Sequence, residues 1–276
     1  KEIRNKPFTA SEADKYILAD KTEDFRVLNL TVDVFNSSAP SYFHKNLGGY
    51  SAVKLRRYQE LIEVHISKEI RDFTASLRTI STLSEAEEIF KNTPVLNMLN
   101  TKYVIYAPQA MPISNPYKMG NAWLVDNINL VNSADEEMLS LGLDSLTNTV
   151  IVDKSTENAP VAKKYNSANG KIELIEYKPN AMTYKFSSTE DQLAVFSEIY
   201  YPDGWNAYIN GEVAEYFRAN YLLRAMQLKA GDYEIEFRFE PKSYDIGKIL
   251  SIICSILLTT ALLCIIFAVF KNDFIR

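Results

Sequence analysis

The hydrophobic pattern of this chain is strongest at its C-terminal end. Residues 249–270 form a run of twenty-two residues without a charged side chain. As an α-helix this run would be about 33 Å long, enough to cross a hydrocarbon core of roughly 30 Å. Its serine and threonine hydroxyls can bond to carbonyls one turn earlier, so lipid tolerates them. We predict a transmembrane helix over residues 246–271 and a short tail over 272–276. The alternative is a buried core helix.

The first half of the chain alternates helical and strand-like patterns. Apolar residues recur every three or four positions over 52–70, and Ser84 with Glu87 forms a capping-box pattern at the start of a second helix. A third helix is predicted at 134–141. Runs of β-branched and aromatic residues predict strands at 25–30, 101–106, 123–125 and 149–152. This alternation predicts an α/β domain with a mixed sheet over 25–153, preceded by a polar tether over 1–24.

The pattern changes to short strands alone after a polar segment at 154–170, which we interpret as a linker. Asn210-Gly211 is the strongest two-residue hairpin signal in the chain. Apolar and charged residues alternate along the last strand, as they do when one face of a sheet is wet. The predicted strands are 172–177, 182–186, 193–201, 205–209, 215–218, 222–228 and 233–239. They predict an antiparallel β-sandwich over 171–245. The predicted fold class is therefore α+β: an α/β domain, a β-sandwich and one transmembrane helix.

Composition and motifs narrow the classes of function. The formal net charge of -5 argues against nucleic acid, whose binders carry basic patches. Both cysteines, Cys254 and Cys264, fall in the apolar run, so the rest of the chain offers no disulfide framework or thiolate metal site. His44 and His65 lack a metal-binding spacing, and Glu137 fits a solvated helix face. No GxSxG, P-loop or GxGxxG motif occurs. We predict no catalytic residue, metal or cofactor in this chain.

A loop rich in basic, aromatic and glycine residues is the first candidate binding site. A flexible Gly-Gly turn can present backbone N–H groups to an anion, and the helix that follows adds its positive dipole end. The neighbouring cations would add charge for a phosphate. The alternative is a loop-to-helix junction with a solvated basic face. The candidate residues are Tyr42, His44, Lys45, Gly48, Gly49, Tyr50, Lys54, Arg56 and Arg57.

A second candidate lies in the predicted sandwich, where aromatic residues stand near Asn and Arg donors. Such a combination is typical of a sugar-binding face. The alternative, which we favour, is that these aromatic residues fill the core and cap turns. The candidate residues are Tyr201, Trp205, Arg218, Asn220, Tyr221 and Arg224.

Several segments of the chain resemble YfhO-like bacterial membrane proteins. The resemblance is carried by Ser-Tyr-Phe-His-Lys through Gly-Gly-Tyr at 41–50, Tyr-Tyr-Pro-Asp-Gly-Trp at 200–205 and Arg-Ala-Asn-Tyr at 218–221. A Glu-Pro pair at 240–241 and the final span complete it. Asp203 departs from the family's Tyr-Pro-Gly-Trp pattern by lengthening the turn. The resemblance extends over essentially the whole chain.

The resemblance implies a polytopic protein of the GT-C glycosyltransferase type, with more spans upstream and an extracytoplasmic domain before the last helix. Such an enzyme transfers sugars from a polyprenyl-phosphate donor to envelope polymers, using a catalytic carboxylate in an early external loop that this chain lacks. We therefore expect an accessory or acceptor-binding domain that is inactive alone. Its expected location is the bacterial cytoplasmic (inner) membrane. Its expected partners are the lipid bilayer and a polyprenyl-phosphate sugar or envelope glycan.

Other interpretations stay open. One is a non-catalytic module that binds an envelope glycan or a protein, and another is a tail-anchored cytosolic protein. Lys271 and Arg276 follow the apolar run, with Asp273 between them, and this slight positive bias favours a cytoplasmic C-terminus. Because the chain opens without Met and without a signal-like stretch, we expect it to be the C-terminal piece of a longer protein.

Overall fold

The computed structural model describes residues 8–22, 24–143 and 145–274. The chain forms two compact units: residues up to Tyr200 together with Ala207–Phe237, and Tyr201–Asn206 together with the chain from Arg238 onwards. The α-helices are α1 Glu12–Ala19, α2 Arg56–Leu61, α3 Ser67–Ser76, α4 Leu83–Glu88, α5 Pro94–Met98, α6 Ala134–Ser140 and α7 Lys242–Phe274.

The strands follow the predicted pattern closely, with three additions (β3, β5 and β11). They are β1 Arg26–Asn29, β2 Thr101–Ile105, β3 Ile113–Ser114, β4 Ala122–Leu124, β5 Asn127–Val131, β6 Thr149–Asp153, β7 Gly170–Lys178, β8 Ala181–Ser188, β9 Gln192–Ile199, β10 Trp205–Ile209, β11 Glu212–Ala214, β12 Phe217–Ala219, β13 Leu223–Leu228 and β14 Gly231–Phe239.

The mixed sheet predicted for the N-terminal part is present. β1 pairs with β2 in parallel, and β2 pairs with β3 in the antiparallel sense. Leu28 lies opposite Val104 across the parallel pair, and both side chains are fully buried. Further along, β5 and β6 form a second parallel pair with α6 between them in the chain.

Helix α1 lies within the segment predicted to be a tether. Ser11 and Asp14 form a capping box at its start: the Asp14 N–H donates to the Ser11 hydroxyl over 3.1 Å, and the Ser11 N–H donates to the Asp14 carboxylate over 2.8 Å. Ala13 and Ile17, four residues apart on one face, are buried in a small cluster with Val27. Residues 12–19 are thus part of the fold, because a capped helix with an apolar stripe buries itself. Residues 1–7 of the predicted tether lie outside the described residues.

The predicted amphipathic helix begins at Arg56 rather than near residue 52. Leu55 is still extended, with a ψ of 130°. From Arg56 the chain stays helical to Ser76 through a π-helical turn at Ile62–Ile66. The next helix, α4, is capped by Thr82 and not by Ser84, since the Glu85 N–H donates to the Thr82 hydroxyl over 3.2 Å.

The β-sandwich prediction is confirmed in its strands and its core. Its two sheets have the strand orders β11-β10-β14-β8-β7 and β12-β13-β9-β4. Phe196 from one sheet packs against Tyr184 and Phe237 from the other, with ring centres 4.9 Å and 5.0 Å apart. Strand β4 completes the second sheet by pairing with β9, although its residues lie in the predicted α/β domain. One hydrophobic cluster runs from Leu28 to Ala225 and includes Leu193 and Val195 of β9, so the second sheet also packs against the α/β layer.

The Asn210-Gly211 hairpin is also confirmed. Asn210 and Gly211 have φ angles of 49° and 86°, and Ile209 pairs with Glu212 across them. Positive φ at both central positions is what a tight two-residue hairpin requires. Along β14, Ile235 and Phe237 are buried, as the alternating pattern predicted.

Helix α7 is long and apolar enough to cross a membrane, and its Lys242–Phe267 part carries the span. Its apolar side chains up to Phe267 are exposed and are covered by no other described part of the chain. The hydroxyls of Thr259 and Thr260 donate to the carbonyls of Ser255 and Ile256 over 2.8 Å, as predicted for hydroxyls in lipid. The helix continues to Phe274, so residues 272–274 of the predicted tail are helical.

Candidate functional site

The Gly-Gly-Tyr loop connects β1 to α2 and is held by close backbone contact. A Cβ on Gly48 would collide with the carbonyl group of Val34, and Gly49 has a φ of 109°. Both positions therefore need glycine, the first for space and the second for its conformation. The Gly49 N–H donates to the Val34 carbonyl over 2.7 Å. That N–H group is used within the fold and is not available to an anion.

A cavity of about 260 Å³ opens beside this loop. Tyr50 stands at its edge with 66% of its surface exposed, and Phe35, Tyr58 and Ile62 give it apolar walls. Lys54 also lines it, with its Nζ 5.7 Å from the centre of the Phe35 ring. Lys54 makes no ion pair within the part of the chain that the structure describes. The cavity thus combines an exposed aromatic ring with an uncompensated ammonium group.

His44 and Lys45, two other residues of the loop, face the interior. His44 Nε2 lies 2.8 Å from the Asp14 carboxylate, and the histidine side chain is almost fully buried. Lys45 Nζ lies 2.8 Å from Asp24 and 2.7 Å from Glu198. Burial would raise the pKa of Glu198, but Arg26 and Lys45 hold that pKa below its ordinary value. Lys45 therefore neutralises carboxylates of the fold, where the sequence suggested a phosphate contact.

Tyr42 belongs to an aromatic surface group. Its ring centre lies 5.5 Å from that of Phe8 and 5.0 Å from that of Phe43. About half of the Tyr42 surface is exposed. It does not line the 260 Å³ cavity.

The two arginines at the start of α2 have different surroundings. Arg56 is 92% exposed and forms an ion pair of 2.8 Å with Glu60, one helical turn away. The guanidinium of Arg57 packs over the ring of Tyr221, 4.5 Å from its centre, and its Nη1 lies 3.8 Å from the Glu137 carboxylate. Arg56 is a surface residue, whereas Arg57 is part of the packing between α2 and the sandwich.

The structure brings Arg57 of the first candidate together with Arg218, Asn220 and Tyr221 of the second. These three residues lie in the β12–β13 hairpin, where Asn220 and Tyr221 have φ angles of 46° and 67°. Arg218 donates to the Thr156 hydroxyl over 3.0 Å, and burial beside Arg57 lowers its pKa. The Asn220 N–H and side-chain oxygen pair with the backbone of Ile151 over 2.8 Å and 2.9 Å. The hairpin turn is thereby fastened to strand β6.

Glu137 lies at the centre of this group, and sequence reasoning missed it. It is fully buried, and its carboxylate accepts the Tyr221 N–H over 2.9 Å. Burial raises the pKa of Glu137 to about 7, against the opposing effects of that N–H group, Arg218 and Arg57. The sequence suggested a solvated helix face because Glu137 stands among acidic residues of a first helical turn. No local pattern distinguishes it from Glu136; the difference is the hairpin that covers it.

Tyr221 links this group to α2. Its hydroxyl donates to the Glu60 carboxylate. Burial and this hydrogen bond raise the pKa of Tyr221 to about 12, and the same bond lowers the pKa of Glu60. Five residues, which we call the Glu137 cluster, form a polar contact between helix and sandwich: Arg57, Glu60, Glu137, Arg218 and Tyr221. Within the described part of the chain, Glu137 Oε2 and Arg218 Nε are buried without a hydrogen-bond partner.

Arg224 is a core residue. It is 2% exposed, its Nε donates to the Ile199 carbonyl over 3.1 Å, and its guanidinium lies 5.0 Å from the centre of the Phe237 ring. Burial lowers its pKa. The preferred interpretation of this motif, as core and turn packing, fits this geometry.

Tyr201 and Trp205 belong to the second unit. The Trp205 ring packs against Phe239 with centres 5.4 Å apart. Gly204 has a φ of 118° and lets the turn pack closely against Phe239 and Pro241. A Cβ at this position would lie 2.8 Å from the Phe239 ring and 3.0 Å from Pro241. Tyr201 is 38% exposed. The Pro-Asp-Gly-Trp sequence of this segment therefore serves turn packing against the start of α7.

Part of this chain is similar to a known protein family. Residues 122–251 match the profile of the family described as Bacterial membrane protein YfhO. The matched region begins at β4 and ends inside α7, so it holds the sandwich strands and much of the Glu137 cluster; the Gly-Gly-Tyr loop lies outside it.

A curated relative agrees with this family match. The chain is 24% identical over 119 residues to the "Uncharacterized protein YfhO" of Bacillus subtilis (strain 168). The alignment covers 43% of this chain and 14% of the relative, so the chain spans only a small part of that protein. No solved structure matches. With a helix able to cross a membrane directly after the sandwich, this chain contains a YfhO-like membrane-protein region.

Proposed function

We propose that this chain is an extracytoplasmic substrate-binding part of a membrane protein that handles lipid-linked sugars, as in GT-C glycosyltransferases. In this proposal the chain supplies no catalytic group. It holds the saccharide of an envelope acceptor or of a polyprenyl-phosphate donor on the extracytoplasmic side of the membrane. The YfhO-like region and the membrane helix support a role at the membrane.

The observation that carries the proposal is the cavity beside the Gly-Gly-Tyr loop. The exposed ring of Tyr50 offers a face on which a sugar ring can stack. Ser41 and Ser51, which carry hydroxyl groups, line the same cavity. The Lys54 ammonium can approach a phosphate without first breaking an ion pair to a described residue. At about 260 Å³ the cavity is slightly smaller than the ~300–1,000 Å³ typical of small-molecule sites, which suits a single sugar ring.

The glycine positions support the same assignment. Gly48 and Gly49 fix the loop by contact with Val34, so Tyr50 is presented from a defined backbone and not from a free loop. A binding surface that is already ordered loses little conformational entropy when its ligand arrives.

The test uses the full-length protein in its own bacterium. Cells lacking the protein are complemented with wild type, Tyr50→Ala, Lys54→Ala or the control Lys164→Ala, which removes an exposed lysine outside the cavity. The monosaccharide composition of purified envelope polymers is then measured. We expect the deletion to lose one sugar component, Tyr50→Ala and Lys54→Ala to restore it poorly, and Lys164→Ala to restore it fully. An unchanged composition in the deletion strain would reject the proposal, as would full restoration by both cavity variants.

A second candidate function is a glycan- or protein-binding module without any link to sugar transfer. It is supported by the exposed Tyr50 ring at the cavity, which can stack on a saccharide whether or not a sugar is transferred. Calorimetric binding of purified envelope polysaccharide to the detergent-solubilised chain, together with an unaltered polymer composition in the deletion strain, would favour this function over the first.

A further inference from the structure

Another cavity among the described residues lies away from the Gly-Gly-Tyr loop. It has a volume of about 530 Å³ and opens where the N-terminal sheet meets the edge strand β7. Lys21, Lys102 and Lys118 line it, together with Phe25 and Asn121. We call it the lysine cavity. It shares no lining residue with the cavity at the loop.

The charges around the lysine cavity are unbalanced. Lys102 is compensated by the Asp20 carboxylate and also donates to the Thr22 hydroxyl over 2.7 Å. Among the described residues, Lys21 Nζ donates to a carbonyl oxygen, that of Leu18, over 3.0 Å, and forms no ion pair. The carboxylate on the wall, Glu173, already forms an ion pair of 2.7 Å with Lys171.

Lys118 is the exceptional member of this group. It lies in the loop between β3 and β4, half-buried, and has neither an ion pair nor a hydrogen bond to any residue the structure describes. Burial lowers its pKa, and the neighbouring Lys102 ammonium adds to that effect. The Asp20 carboxylate, which pairs with Lys102, opposes this shift. A half-buried ammonium group without a described partner is unfavourable, and an anion bound beside Lys118 would relieve its desolvation.

We propose that the lysine cavity binds a small phosphate-bearing molecule, with Lys118 as its main charged contact. Lysine is a compact point charge that suits phosphate. Asn121 stands on the same wall, where its amide group donates to the Asp24 carbonyl. The Phe25 ring and the aliphatic side chain of Ile172 provide apolar surface for the remainder of the ligand. The volume is sufficient for a sugar phosphate as well as for inorganic phosphate. This inference does not depend on the function proposed for the Gly-Gly-Tyr loop.

The experiment is isothermal titration calorimetry on the 276-residue chain in a neutral detergent. The probes are inorganic phosphate, glucose 1-phosphate and uncharged glucose, titrated into wild type, Lys118→Met, Lys118→Arg and the control Lys164→Met. We expect wild type and Lys164→Met to bind at least one phosphate probe and to ignore glucose. Lys118→Met should weaken the affinity about tenfold, which equals roughly 1.4 kcal/mol, and Lys118→Arg should retain most of it.

Two results would overturn the inference. One is that neither phosphate probe binds to wild type at concentrations up to roughly 10 mM, because binding weaker than this would not be specific. The other is an equal affinity of wild type and Lys118→Met. Tighter binding of glucose 1-phosphate than of inorganic phosphate would assign the site to a phosphorylated sugar, and equal binding would assign it to the phosphate group alone.

Discussion

The guanidinium of Arg57 lies 4.5 Å from the ring centre of Tyr221, and its Nη1 donates to the carbonyl oxygen of the same residue over 3.3 Å. The two residues are 164 positions apart in the sequence. Their contact joins α2 to the β12–β13 hairpin and places the arginine beside the buried carboxylate of Glu137. Removing this contact therefore measures how much the Glu137 cluster contributes to the stability of the fold.

Replacing Arg57 should destabilise the chain. Arg57→Ala removes a guanidinium that packs on Tyr221 and faces Glu137, and breaking such a partly buried contact costs about 2 kcal/mol. The measurement is urea-induced unfolding of the detergent-solubilised chain, followed by tryptophan fluorescence. The matched control is Arg56→Ala, the exposed neighbour, which should change the free energy of unfolding by less than about 0.5 kcal/mol. Equal stability of the two variants would contradict the structural role of Arg57.

The stability of the chain should fall as the pH rises through the weakly acidic range. Burial raises the pKa of Glu137 from its ordinary 4.5 to about 7, and burial raises that of Glu69 from 4.5 to about 7 as well. The native state thus holds these protons more strongly than the unfolded chain. Their contribution is present below pH 4.5 and is lost between about pH 4.5 and pH 7, by an amount on the order of 1–3 kcal/mol per group.

Glu137→Gln separates the contribution of this residue from that of Glu69. The neutral amide cannot titrate, so the decline in unfolding free energy between about pH 5 and pH 7 should become shallower. Asp135→Asn, an exposed position in the first turn of the same helix, should leave the decline as it is in wild type. Urea unfolding at several pH values measures all three proteins. A wild-type slope in Glu137→Gln would show that this carboxyl group does not bind its proton in the native state.

Cysteine labelling should place the sandwich outside the cytoplasm, as the proposed function requires. The two cysteines of this chain, Cys254 and Cys264, lie in α7. Once the cysteines of the protein are replaced, a single cysteine can be introduced at a chosen position. Val213→Cys, at a position 81% exposed, should react with a membrane-impermeant maleimide in intact cells. Arg276→Cys should react only after the membrane is permeabilised. The reverse pattern would put the sandwich in the cytoplasm and would rule out an extracytoplasmic role.

Sequence alone determined the parts of this protein that depend on local patterns. An uncharged run of twenty-two residues predicts a membrane helix because a backbone in lipid must satisfy its own hydrogen bonds. The alternation along 233–239 predicts the shared face of Ile235 and Phe237, which are buried, because successive residues face opposite sides of a strand. Phe239, at the end of the same face, is exposed. Asn210-Gly211 predicts its hairpin because few other residues accept two successive positive φ angles.

Tertiary structure alone decided the roles of the charged residues. Lys45, Arg57 and Glu137 look like solvated or ligand-binding residues in the sequence, yet each is engaged by residues from distant segments. Lys54 and Lys118 are no more conspicuous in the sequence, and the structure leaves them facing cavities. The physical reason is that the free energy of a charge depends on its burial and on the partners within a few ångströms, and no periodicity in a sequence encodes which remote partner the fold will supply.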